Sequence, residues 1–211
     1  AESEHGAVVT FEPFLAPLAE RQPVQGEKIN GVINQLFLTG MSDSTFEVAI
    51  EPWAFGGFRN SLGYYRIDAD GDISGAALLS ADVKRDAGAV RTIEGVADGA
   101  TLGFFIVQDG ADWAHALGAD AERLEFLDAD GDAANAREAG ALTLAVDGED
   151  ADQIVFHSYA DALNPDGVQH ALSGVAPGGE ALTIGFEDKL GGGDGDFQDV
   201  IITVEEVWEA V

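Results

Sequence analysis

Five acidic residues fall within thirteen positions near the C-terminal end of the sequence: Glu187, Asp188, Asp194, Asp196 and Asp199. Gly191-Gly192-Gly193 lies among them, and Phe186 and Phe197 offer apolar anchors on either side. Carboxylates this close repel and raise one another's pKa unless a counter-ion intervenes. Glycines permit left-handed backbone, which turns carbonyl oxygens toward such an ion. The chain has no cysteine, so thiolate metal centres, disulfides and a cysteine nucleophile are excluded and oxygen ligands remain. Calcium takes six to eight oxygens at about 2.3–2.6 Å in flexible geometry, and this donor set suits it. The run is therefore expected to bind calcium, with Val200 to Val204 carrying the chain back into a sheet.

The same chemistry is suggested at two shorter loops. Asp68-Ala69-Asp70-Gly71-Asp72 and Asp128-Ala129-Asp130-Gly131-Asp132 are the same five letters sixty residues apart. Their first, third and fifth side chains can converge on one point, with the glycine relieving strain in the curl. Each begins like an EF-hand loop, but the twelfth positions, where the bidentate glutamate belongs, are Leu79 and Ala139. A helix-loop-helix hand is thus disfavoured, and backbone carbonyls, Asn135, Glu138 or distant residues would have to complete a site. The alternative is a polar turn whose acids only face water. It applies with more force to the first loop, because Tyr64 to Ile67 reads as a strand and Ile73 can begin the next, making a hairpin.

Short apolar or alternating runs bounded by Gly, Asp, Asn and Pro must position these loops. Gly31 to Leu38, Thr45 to Ile50, Leu102 to Val107, Ala141 to Val146, Gln153 to His157, Ala181 to Phe186 and Val200 to Val207 read as strands. Helical patterning is confined to a turn or two at Asp112 to Leu117 and at Ala133 to Ala139, and Glu12 to Glu20 is broken by Pro13 and Pro17. The pattern predicts an all-β fold, a β-sandwich or jelly-roll-like domain over residues 28–211, with residues 1–27 as an N-terminal arm in which three prolines discourage ladder pairing. At 211 residues and 46% apolar content the chain can bury a core.

Ten Lys and Arg against 39 Asp and Glu give a formal charge of -29. That balance argues against nucleic acid and anionic membrane as partners, since both need clustered basic residues. Bound divalent cations would absorb part of the self-repulsion, and an acidic surface adapted to salty surroundings would account for scattered charge. No stretch is long and apolar enough for a membrane-spanning helix. The amino end lacks a charged-then-apolar signal pattern, so an excised domain is expected, monomeric in isolation and part of a longer chain.

The acidic run resembles the hallmark segment of the bacterial domain family DUF4114, found in large secreted repeat adhesins and surface proteins. The matching residues are Phe186-Glu187-Asp188, Gly192-Gly193-Asp194, Asp196-Phe197 and Asp199-Val200. Gln198 departs from the family's usual Asn, although its longer amide still offers a carbonyl oxygen. Asn60 to Tyr65, Gly103 to Gly110 and Leu163 to His170 are also similar to the family, so the resemblance covers about residues 60–204. It implies a calcium-dependent β domain of an exported protein. By this route Asp109, Asn164 and Asp166 become further candidate ligands, their alternative being ordinary turn chemistry.

Catalysis finds little support. His5, His115, His157 and His170 lack zinc-ligand spacing, His-Glu-x-x-His is absent, and no glutamate is isolated in an apolar pocket as glycoside hydrolysis requires. His170 is expected to pack or to bond backbone. Trp53 and Phe55, followed by Gly56-Gly57-Phe58, form an aromatic-glycine patch that either joins the core or stacks on a sugar ring or peptide side chain. The expected function is a calcium-dependent ligand-binding, adhesive module on the bacterial cell surface, taking a glycan or a peptide. A calcium-rigidified spacer and a carbohydrate-active enzyme domain are the alternatives.

Overall fold

The structure, a computed structural model, describes residues 35–52, 56–118, 123–175 and 181–207. The N-terminal arm of residues 1–27, Glu12 to Glu20, and the pair Trp53 and Phe55 lie outside the described residues.

Among the described residues the fold is all-β, in two antiparallel sheets. Polar and apolar residues alternate through Ser44–Ile50 (β1), which buries Phe46, Val48 and Ile50 on one side. The strands that follow are Ser61–Ile67 (β2), Ile73–Ser80 (β3), Val90–Val96 (β4), Thr101–Val107 (β5), Leu124–Leu127 (β6) and Thr143–Val146 (β7). Glu149–Asp150 (β8), Val155–His157 (β9), Ala171–Val175 (β10), Leu182–Phe186 (β11) and Val200–Val207 (β12) complete the set. One sheet runs β10-β11-β12-β1-β4 and the other β8-β7-β6-β3-β2-β5-β9.

The continuous apolar run of β5 explains how these sheets fit together. Leu102, Phe104 and Ile106 face the space between the sheets, meeting Phe46, Val48, Ile184, Phe186 and Ile202. Phe105 and Val107 point the other way, into a second cluster with Tyr65, Phe126 and Leu144. A strand buried on both faces needs no alternation, whereas β1, half-exposed, shows it. His157 sits in the second cluster against Tyr65, Phe105 and Phe126, with neither ring nitrogen hydrogen-bonded. Burial lowers its pKa to about 3.

One element differs from its sequence reading, and one expected helical stretch is at its minimum. Gln35–Leu38, read as the end of a strand, is a 3-10 turn whose Phe37 and Leu38 plug the core. Consecutive apolar residues in so short a run fit a buried helical turn as well as a strand. Ala133 to Ala139 forms a single turn closed by the Ala139 N–H on the Asn135 carbonyl at 2.9 Å, after Ala133 bridges back to Leu127. The other expected helix is present as Ala111–Leu117 (α1).

The topology brings two pairs of strand ends together. β11 and β12 are neighbours whose register closes at Phe186 and Val200, so residues 187–199 form their connection. β2 and β5 pair with Ser61 opposite Val107, which places Asn60 and Gln108 side by side at the end of the other sheet.

Candidate metal centre

The acidic connection is held at both ends by Phe186 and Phe197, which are buried in the protein. Gly191, Gly192, Gly193 and Gly195 all adopt positive φ, between 54° and 82°. A side chain there would strain the backbone, and a Cβ on Gly193 would also collide with Glu187 Oε2. Phe197 adopts φ 55° without being glycine, a conformation costly for a bulky residue. Its backbone N–H donates to Glu187 Oε1 at 2.8 Å, so this conformation serves the acidic group directly.

Glu187, Asp194 and Asp196 each offer a carboxylate oxygen, and these atoms lie within 4.8 Å of one another. Glu187 and Asp196 are buried and Asp194 is exposed. Glu187 Oε2 is buried and has no hydrogen-bond partner. Burial, followed by the neighbouring carboxylates of Asp199, Asp194 and Asp196, pushes the Glu187 carboxyl up to about 8. Three carboxylates, one of them with an unpaired buried oxygen, can hold a metal ion. The donor set has neither nitrogen nor sulfur, which fits a hard cation. Gln198 is a neighbour with a buried amide oxygen that also lacks a partner, and its backbone N–H donates to Asp196 Oδ1 at 3.0 Å.

Asp188 and Asp199, expected to share this centre, do not join that group of three. Asp188 is fully buried, and its Oδ2 accepts from Asn60 Nδ2 at 2.7 Å. Asp199 Oδ2 accepts the Asp188 backbone N–H at 2.9 Å. The Asp199 carboxyl is raised by burial and by the adjoining Asp188 carboxylate. The carbonyl of Asp188 accepts from the Gln108 side-chain amide, so the loop is fastened to the opposite sheet. Asp109 lies one bond further out: its N–H donates to Asn60 Oδ1 at 3.0 Å, and its Oδ1 accepts from Arg59 N at 3.1 Å.

Asp166 does lie beside the acidic loop, accepting the Gly191 N–H on Oδ2 at 2.6 Å. Burial alone would raise its pKa, but the Gly191 N–H and His170 outweigh this and hold it below the usual carboxylate range. His170 is buried, stacks on Phe156 with ring centroids 3.8 Å apart, and donates through Nδ1 to the Glu187 carbonyl at 3.0 Å. Its Nε2 faces the Asp166 carboxylate, also at 3.0 Å. The expected packing and backbone bonding of His170 are both present, and they brace the acidic run. Asn164 is committed elsewhere: its Oδ1 accepts from His157 N at 2.7 Å and its Nδ2 donates to the Val168 carbonyl at 2.8 Å.

The two five-residue loops fold alike. Asp68 Oδ1 accepts from the N–H groups of Asp70 and Asp72, both at 2.9 Å, and Asp128 Oδ1 accepts from those of Asp130 and Asp132 at 2.9 and 3.0 Å. The first loop joins β2 to β3 as a hairpin turn. Asn135, following the second loop, donates through Nδ2 to Asp72 Oδ1 at 2.8 Å and to the Asp70 carbonyl at 3.1 Å. Neither triad draws three carboxylates together as Glu187, Asp194 and Asp196 are drawn, among the described residues.

Sequence reasoning did not single out Asn60, Gln108 or Gly56 as parts of the site. Asn60 and Gln108 adjoin strand ends that the pairing of β2 with β5 sets side by side, and Gly56 packs against Asp188 and Asp199 from the segment before β2. A family model described as a domain of unknown function, DUF4114, matches residues 96–206, which include β5 to β11, all but the last residue of β12, and the whole acidic run. The match starts later than the similarity at Asn60 suggests and leaves out the Asn60 to Tyr65 stretch. No curated protein and no solved structure matches the chain.

Proposed function

The chain belongs to the DUF4114 family, and on that premise we propose that it is a calcium-dependent ligand-binding module of a large bacterial extracellular protein. The observation that carries the calcium reading is the buried, unpartnered Glu187 Oε2 beside the carboxylates of Asp194 and Asp196. Calcium suits oxygen donors of irregular geometry, where magnesium demands near-ideal octahedra and zinc favours nitrogen and sulfur. Asp194 is exposed, so an ion held here would face solvent on one side. A sugar hydroxyl or a peptide carboxylate could complete its coordination, which would make ligand capture calcium-dependent.

Calorimetric titration of chelator-treated protein tests the calcium step. A saturable heat with a rise in melting temperature is expected, weakened by at least tenfold in Glu187→Gln. No calcium heat and no shift would refute it. Adhesion is tested separately on glycan and peptide arrays, with calcium and with chelator. The burial of Glu187 and Asp196 favours a second reading, a calcium-rigidified spacer without ligand, and arrays blank under both conditions would select it.

A further inference from the structure

We propose that the acidic connection holds a second, separate cation, bound between Asp188 and Asp199 at the seam of the two sheets. This rests on reading the same connection as a calcium site, and it divides the acidic residues into two centres. Successive residues in extended chain point to opposite sides. Glu187 accordingly turns toward Asp194 and Asp196, while Asp188 turns toward Asn60 just before β2, and Asp199 lies between the two, repelling both carboxylates.

Asp188 is 0% exposed, and its two oxygens are unequal. Oδ2 takes the Asn60 amide, whereas Oδ1 meets no N–H or O–H donor unless the neighbouring Asp199 carboxyl keeps a proton. The carboxylate of Asp199 adjoins it, tied to the Asp188 backbone N–H. Among the described residues no Lys or Arg comes within ion-pair distance of either carboxylate, and the longer-range attraction of Lys189 for Asp199 does not offset burial and the Asp188 charge. An unpaired buried carboxylate oxygen is costly, and two adjoining carboxylates must share either a proton or a cation. The backbone of Gly56 packs directly against this pair. A Cβ there would stand 2.9 Å from both Asp188 Oδ2 and the Asp199 carbonyl, a distance that real side chains avoid. Oxygen donors alone point to the same class of ion as the first centre, a hard divalent cation.

The position gives this ion a distinct task. Asp188 and Asp199 belong to the β11–β12 connection of the five-stranded sheet, while Asn60 and Gln108 belong to the ends of β2 and β5 in the other. A cation here would lock sheet to sheet, whereas the ion at Glu187 would order the glycine-rich tip.

The test is the number of calcium ions bound per chain, measured by native mass spectrometry and calorimetry on chelator-stripped protein titrated with calcium chloride. Asp188→Asn is nearly isosteric: its amide keeps an acceptor for Asn60 and can donate toward Asp199, and circular dichroism checks that the variant is folded. Asp188→Asn and, independently, Gly56→Ala should each bind one ion fewer than the wild type. Adding Glu187→Gln to either should remove one more. If both seam variants bind as many ions as the wild type, or if Asp188→Asn with a native circular dichroism spectrum loses the Glu187 ion too, the separate centre is overturned. The calcium reading of the Glu187 centre then still stands, provided Glu187→Gln lowers the count. A wild-type chain that binds no calcium overturns both.

Discussion

Glu187 shows how a single residue carries the site. Its backbone continues β11, its Oε1 accepts the Phe197 N–H, and its Oε2 is left buried without a partner. Held up to about 8 in the folded protein against an ordinary value of 4.5, it keeps a proton that the unfolded chain has released over that interval. The stability it lends the metal-free protein is therefore fully present below about 4.5 and is lost as pH rises through about 8. His157 works in the opposite direction and lower down: lowered to about 3, it costs stability as pH falls below 6.5 and is silent above it. In chelator, the melting temperature of the wild type should thus fall between pH 6.5 and 8.5, and in Glu187→Gln it should fall less. Calcium, replacing the proton, should reverse the wild-type trend. Equal slopes for the two proteins in chelator would count against the buried, proton-holding state of Glu187. At this scale the acids themselves were legible, because residue type and spacing suffice for ligand chemistry. Their division was not, since a partnered and an unpartnered oxygen look the same in a sequence.

Elements decide what an acidic loop is for. The two Asp-Ala-Asp-Gly-Asp loops and the β11–β12 connection are all rich in aspartate and glycine, yet the shorter two spend the Oδ1 of their first aspartate on closing a turn. Replacing Asp128 by Ala should leave the N–H groups of Asp130 and Asp132 without that acceptor and cost about 1 kcal/mol, in line with the loss of a helix cap. Asp128→Asn keeps an acceptor oxygen and should remain within about 0.5 kcal/mol of the wild type. Urea unfolding in chelator measures both, and an equal loss in the two variants would speak against the turn role. The hairpin at Asp68 was legible because a strand pattern precedes it and another follows. The turn at Gln35–Leu38 was misread because an apolar run of that length carries no period.

At the scale of the whole molecule the formal charge of -29 is a load on the compact state. Sodium chloride should raise the melting temperature of the chelated protein by screening that repulsion, and the effect should shrink once calcium is bound. A hundredfold excess of calcium over its Kd is expected to add about 2.7 kcal/mol per site, or roughly 5–10 °C for a domain of this size. A melting temperature indifferent to calcium at every salt concentration would remove the link between charge and ion. Composition and periodicity by themselves determined the β class, the oxygen-only ligand chemistry and the acidic run as the place to look. These depend on residue type and on spacings of a few positions. Tertiary structure alone decided that Asn60 and Gln108 reach across to Asp188, that His170 and Asp166 brace the run from outside, and that Glu187 and Asp188, adjacent in sequence, face different surroundings. Those contacts join residues up to 128 positions apart, and their register is set by the pairing of β2 with β5 and of β11 with β12, which no local pattern encodes.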